Sequence, residues 1–251
     1  MKNFNIKRFK CLLRWTYEHD RAEFVKSTLW GIIGMILCVV LIQWGQSHTE
    51  TPNKVGMMAM LLGFLTAIVI TGSNMHYCMK TRDDWRMLSV LPASNLEKFL
   101  ARYASSLLMM VGVFVALAVA DVTQYLVILV LNSEKATLLG NYFLHSSAFH
   151  MITDGSFAGN VGIASFALML HSCYLVGGNF FRNTKYGWVF TTMTLVLLGV
   201  LLGSLLAWLK PEFSVPAQFL TALCLLVTVF NYWLAYRLFC RRQLIGKFVN
   251  L

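Results

Sequence analysis

Two apolar stretches of this sequence contain polar side chains that could do chemistry. Asp121 interrupts one stretch, and His171 and Asn179 lie in another. Ionisable groups within apolar segments are costly to bury, so they are candidates for function. Asp121 could contact a cation or a substrate, or it could snorkel or act as a cap at the edge of its stretch. His171 and Asn179 could line a pathway for a polar substrate, although such a histidine most often hydrogen-bonds a neighbouring helix.

A second candidate group, His145, His150 and Asp154, offers two imidazoles and one carboxylate, which together can bind zinc. Their spacing matches no strong metal motif such as His-Glu-x-x-His. Ordinary loop polarity is the better interpretation. We therefore predict that this chain binds no metal and no cofactor.

Two motifs of common enzymes are absent from the sequence. It contains neither a Gly-x-Ser-x-Gly nucleophile motif nor a Gly-x-x-x-x-Gly-Lys-Ser/Thr phosphate loop. We therefore predict that the chain is not an enzyme, and any ATP it uses must be handled by another subunit.

The composition is that of a membrane protein. Of the 251 residues, 57% are hydrophobic and 13% are charged, and the mean hydropathy is +0.63. Ordinary soluble domains are about 45–50% apolar and about 25% charged. No stretch outside the apolar segments is long enough to form a water-soluble core, so we predict a single integral membrane domain.

Six apolar blocks are each close to the length of about 20 residues that crosses a bilayer as a helix. The fold class we predict is all-α, a polytopic membrane protein with six transmembrane helices. The blocks lie approximately at 28–45, 55–74, 104–126, 161–181, 188–209 and 215–236.

The distribution of positive charge predicts the orientation. Of the 21 Lys and Arg residues, only Lys54, Lys135 and Lys210 lie on one set of alternate connections. The positive-inside rule therefore places both termini in the cytoplasm. The formal charge of +10 follows from topology, so nucleic acid is not an expected partner.

The segments outside the blocks complete the predicted domain organisation. Apolar residues recur at helical spacing among cations between Ile6 and Phe24, which predicts an amphipathic helix at the lipid interface. It could be a simple anchor or an elbow that clasps other spans. The predicted parts are an interfacial helix at 1–27, a transmembrane domain at 28–236 with a cytoplasmic loop at about 79–103 and an outer loop at about 132–160, and a cytoplasmic tail at 237–251.

The cytoplasmic loop is the most informative soluble segment. Asp83 and Asp84 suit the start of a short helix, because acids stabilise the positive end of the helix dipole. Pro92 must end that helix. Ser94 followed three residues later by Glu97 predicts a capping box that opens a new helix into the third span.

This loop also carries Trp85, Met87 and Leu88 beside a tight cluster of charges. Such a surface is suited to docking against another protein. The alternative is a solvated loop lying on lipid headgroups.

The fifth block contains small residues at a spacing of four, namely Gly199, Gly203 and Ala207. A stripe of small residues allows the backbone of another helix to approach closely. The partner could be another span of this chain or a second protomer.

Taken together, the six blocks, the N-terminal helix and the loop resemble the type 2 permeases of ATP-binding-cassette transporters. The resemblance is strongest at Leu91-Pro92-Ala93-Ser94 followed by Glu97-Lys98-Phe99-Leu100-Ala101-Arg102. A weaker likeness lies at Gly177-Gly178-Asn179-Phe180-Phe181-Arg182.

The resemblance implies an exporter subunit in a bacterial cytoplasmic membrane. It implies that a helix at about 82–91 docks into a separate ATPase subunit, which holds ATP and Mg²⁺, and that two permease chains pair as a homodimer or a heterodimer. The docking residues it implies are Arg82, Asp83, Asp84, Trp85, Arg86, Leu88, Leu91, Pro92, Ser94 and Glu97.

One departure from the family concerns the outer side. Many family exporters have a sizeable hairpin between the fifth and sixth spans, but here that connection is only about 210–214 and the large outer loop is at 132–160. The resemblance therefore does not identify the substrate. Two alternatives remain, a non-transporting membrane anchor or sensor subunit of a larger complex and an intramembrane enzyme.

Overall fold

A computed structural model describes most of the chain. The described residues are 4–46, 52–73, 75–76, 78–79, 82–131, 138, 140–141, 157–181, 186–208 and 217–241. Most of the predicted outer loop, including His145, His150 and Asp154, lies outside them, as do Arg182, the connection at 210–214 and residues 242–251.

The fold is all-α, as predicted. The helices within the described residues are α1 (Ile6–Gln46), α2 (Pro52–Ser73), α3 (Arg82–Val90), α4 (Asn95–Leu131), α5 (Phe157–Phe180), α6 (Gly187–Trp208) and α7 (Ala217–Arg241).

Four helices, α4 to α7, contain segments long and apolar enough to cross a membrane. They correspond to the predicted third to sixth blocks, and they indicate a multi-pass membrane protein. In α2, the searched residues form a shorter apolar helix, Leu61–Ser73. The first two predicted blocks fall within α1 and α2.

α1 is one continuous helix of 41 residues. At 1.5 Å per residue it is about 60 Å long, roughly twice the hydrocarbon thickness of a bilayer. The predicted interfacial segment and the predicted first span are therefore parts of one helix. α1 packs against α4 in the same direction, since Arg8 contacts Glu97 near the start of both helices and Ile36 packs against Ala120 further along.

Successive long helices run in opposite directions. As a result α1, α4 and α6 start, and α2, α5 and α7 end, at the same end of the bundle. We call this the α3 end, because α3 lies there. The contacts that establish it are Ser106 with Thr71, Ser73 with Gly178, Gly177 with Thr191 and Tyr103 with Tyr232.

Candidate docking site at the α3 end

α3 is the predicted short helix, and its limits follow from its sequence. Asp83 and Asp84 occupy its first turn, where their charge stabilises the helix dipole. The helix ends at Val90, two residues before Pro92, which cannot continue it.

One face of α3 is exposed. Asp83 and Arg86 form an ion pair at 3.1 Å with both side chains largely in the open. Met87 and Val90 beside them are 47% and 82% exposed. The exposed face therefore combines two opposite charges with two apolar side chains, and the side chain of Arg82 lies outside the described residues.

The other face of α3 is held inside the protein. Leu88 is buried in an apolar cluster, and Trp85 and Leu91 are half-buried against it. Asp84 is also turned inward, with Oδ1 3.9 Å from Nε2 of His19 on α1. The cluster takes its members from the ends of four other segments, namely Met75, Met79, Phe99, Leu175, Ala235 and Phe239.

The predicted capping box is present at the start of α4. The Ser94 N–H donates to Oε2 of Glu97 at 2.7 Å, and the Glu97 N–H donates to Oγ of Ser94 at 3.3 Å. The Glu97 carboxylate is fully buried and also accepts hydrogen bonds from the Asn5 N–H and from Nη2 of Arg8. Ser94 and Glu97 thus tie the start of α4 to α1 and are covered, whereas Pro92 between the two helices is exposed.

A buried ion pair joins α1 to α4 just above the capping box. Nη1 of Arg102 donates to both carboxylate oxygens of Asp20, at 3.0 and 2.8 Å. Nη2 of Arg102 donates to the carbonyl of Met75 after α2, and Oγ of Ser105 donates to Asp20 at 2.7 Å. The side chains of Arg102 and Asp20 are 1% and 5% exposed, so the pair is withdrawn from water.

A histidine links α3 to the end of α5. Nε2 of His76 lies 2.9 Å from Oδ1 of Asn179, and both residues are buried. The ring of His76 lies between Trp85 of α3, at 4.8 Å between centroids, and Phe239 of α7, at 5.8 Å. Asn179 therefore lies at the α3 end rather than at mid-depth in the bundle.

The glycines before Asn179 explain why this part of α5 can touch three neighbours. A Cβ on Gly178 would collide with the backbone of Ser73 in α2, and one on Gly177 would collide with Thr191 in α6. Only glycine allows these close approaches. The Gly177-Gly178-Asn179 turn of α5 thus contacts α2, α6 and the segment before α3.

Sequence reasoning missed Asp20, Arg102 and His76 as members of this site. The available signals were weak. Asp20 is an acid within a segment rich in Lys and Arg, and His76 follows directly after an apolar block. Neither pattern identifies a partner.

His171 is buried where α5 meets α2. Its Nδ1 lies 3.4 Å from the carbonyl of Ile68 and 3.5 Å from Oγ1 of Thr71, both on α2. The arrangement fits helix-to-helix hydrogen bonding, the ordinary role of such a histidine. A role of His171 in a substrate pathway stays a prediction.

Asp121 lies towards the opposite end of α4 and is nearly buried. Its carboxylate accepts hydrogen bonds from Nε2 of Gln124 at 3.1 Å and from the backbone N–H of Gly140 at 3.0 Å. The carboxylate thus binds a side chain of its own helix and the backbone of a residue beyond α4.

The small-residue stripe of α6 faces away from the described helices. A Cβ added at Gly199 or at Gly203 would meet nothing within 4 Å, and both residues are exposed. The side chain of Ala207 lies outside the described residues.

Two features of the described residues bear on metal binding and on thiol chemistry. Among them, no group of three or more His, Cys, Asp or Glu could hold a metal ion. Burial is the main cause that raises the pKa of Cys78 to about 12. This thiol is therefore protonated at neutral pH and is a poor nucleophile.

The chain matches no family model, no curated protein and no solved structure.

Proposed function

We propose that this chain is the membrane-spanning permease subunit of an ATP-driven exporter in a bacterial cytoplasmic membrane. α3 contacts a separate ATP-binding-cassette ATPase subunit, which holds ATP and Mg²⁺. The main support for this proposal is that α3 has one exposed face and one buried face. Its outer face offers Asp83, Arg86, Met87 and Val90 to a partner, and its inner face is anchored by Leu88.

The inner contacts support a coupling role for α3. Trp85 packs on His76, which is hydrogen-bonded to Asn179 of α5 and stacked on Phe239 of α7. Close-packed interiors transmit displacement because they compress little. A displacement of α3 by the ATPase would therefore be transmitted to α2, α5 and α7 together.

The proposed topology has six spans, formed by α1, α2 and α4 to α7, with the α3 end in the cytoplasm. The alternating helix directions and the bias of Lys and Arg support it, because the described parts of the cation-rich connections fall at the α3 end. Lipid surrounds the bundle in this arrangement.

The proposal includes a second permease chain. Gly199 and Gly203 form a small-residue surface that the described helices of this chain leave uncovered. Small residues let helices pack closely in a membrane. The second chain could be identical or related, and the exported substrate is not specified by these contacts.

The test exchanges the charges of α3 without changing the net charge. The variant Asp83→Lys with Arg86→Glu keeps an opposite-charge pair on the exposed face but presents it reversed to a partner. Tagged chain is purified from its native membrane in mild detergent, and co-purifying proteins are identified by mass spectrometry and assayed for ATPase activity. We expect a subunit with a phosphate loop to accompany the unmodified chain and its recovery to fall about tenfold with the variant.

Lys7→Glu provides the control, because Lys7 is an exposed cation at the same end of the bundle but on α1. It should leave recovery of the ATPase unchanged. Equal recovery with the α3 variant would make the docking assignment wrong. Absence of any ATPase beside the unmodified chain would favour the anchor or sensor subunit.

A further inference from the structure

A groove between α1 and α4 lies at the α3 end, on the outside of the bundle. Its volume is about 420 Å³, which falls within the range of small-ligand sites. α1 contributes residues one turn apart along a single face, and α4 contributes the first residues of its predicted span. The residues that line it include Lys10, Leu13, Arg14, Tyr17, Ser105 and Leu108.

The chemistry of the groove changes along the helix axis. Lys10 and Arg14 lie towards the start of α1 and hence towards the α3 end. Leu108 lies further along α4, where the predicted third span has begun. The groove therefore passes from cationic near the α3 end to apolar further along α4.

Glu18 is the acid next to these cations. Its Oε1 accepts a hydrogen bond from Nε of Arg14 at 2.8 Å, and both side chains are exposed. A guanidinium has five N–H donors, so this bond leaves donors for a second anion. Together with Lys10, the rim keeps a net positive charge.

We infer that this groove binds an anionic phospholipid. The phosphate lies between Lys10 and Arg14, beside Leu13, and one acyl chain extends from there past Leu108. The hydroxyl of Tyr17 lies between these two regions, where it can donate to the polar glycerol esters, whereas the hydroxyl of Ser105 donates to Asp20. The order of charges and apolar groups in the groove matches the order of phosphate, glycerol and acyl chain in such a lipid.

The apolar lining distinguishes a lipid from a free phosphate ion. Leu13 and Leu108 gain contact only with a ligand that has a hydrocarbon chain. An inorganic phosphate would meet only two exposed cations in water, and such pairs are weak. The inference does not depend on the proposed ATPase contact.

The experiment measures the thermal stability of the purified full chain in a neutral detergent. Dioleoyl phosphatidylglycerol, dioleoyl phosphatidylcholine and inorganic phosphate are titrated separately. We expect phosphatidylglycerol to raise Tm at lower concentration than phosphatidylcholine, and inorganic phosphate to have no effect. Lys10→Gln with Arg14→Gln should weaken the response to phosphatidylglycerol about 30-fold.

Two further variants sharpen the result. Glu18→Gln removes the carboxylate beside Arg14, so it should strengthen the response to phosphatidylglycerol. Arg21→Gln with Lys26→Gln removes two exposed cations of α1 outside the groove and should leave the response unchanged. Equal responses to the two lipids, a full response to inorganic phosphate, or an unaltered response in the Lys10 and Arg14 variant would overturn the inference.

Discussion

At the α3 end of the bundle, Asp20, Arg102 and Glu97 are buried and paired with one another or with neighbouring groups. Over residues 193–204 of α6, most side chains are exposed and apolar, and Gly199 and Gly203 face open space. Both regions belong to long helices. At the α3 end, buried polar groups connect the helices to one another, whereas this part of α6 has no such connection among the described residues.

The difference follows from the solvent of a membrane protein. Lipid tails are as apolar as leucine, so apolar side chains gain little by leaving lipid for another helix. Buried polar groups, in contrast, lose much if they have no partner. The α3 end is therefore held together by specific polar contacts in addition to its apolar cluster, while residues 193–204 of α6 can contact lipid or another chain.

We expect the largest effect from a substitution that breaks the buried ion pair at the α3 end. Arg102→Leu leaves the Asp20 carboxylate buried without its partner, and such losses cost about 3–5 kcal/mol. We expect a clear drop in the free energy of unfolding, measured by denaturant titration in detergent micelles. Arg21→Leu, an exposed position on α1, serves as control and should change stability little. Equal effects of the two variants would contradict the contrast between buried and exposed charge.

The next prediction compares two glycines directly. Gly178→Ala places a methyl group against the backbone of Ser73 and should cost about 1–3 kcal/mol, as overpacking does. Gly199→Ala places the same methyl group in space that this chain leaves open, so in the purified single chain stability should stay constant or rise by up to about 1 kcal/mol from helix propensity.

The same unfolding titration measures both glycine variants. A loss of stability on Gly199→Ala comparable with that of Gly178→Ala would mean that another helix covers the stripe in the purified protein. The stripe would then belong to a packed interface rather than to the lipid-facing surface.

The smallest expected effect concerns the helix cap of α4. Ser94→Ala removes the side-chain acceptor of the Glu97 N–H and should lower the free energy of unfolding by about 1 kcal/mol. Ser94→Asp keeps an acceptor at the cap and should retain more of that stability. If the alanine and aspartate variants unfold alike, the cap contributes nothing measurable to the α3 end.

Local features of the sequence determined much of this molecule. Apolar runs predicted the helices now seen in α4 to α7, because hydrocarbon requires backbone hydrogen bonds within each segment. Asp83, Pro92 and the Ser94 and Glu97 pair predicted the limits of α3 and the start of α4. These signals act over a few residues, so neighbours in the chain suffice to decide them.

Only the tertiary structure decided which distant polar groups meet. Asp20 and Arg102 are 82 residues apart, and His76 and Asn179 are 103 apart. Many arrangements of apolar helices satisfy the same hydropathy pattern, and they differ in which helices are neighbours. The sequence therefore indicates that polar groups are present at the α3 end, but their partners depend on how α1, α2, α4 and α5 pack together.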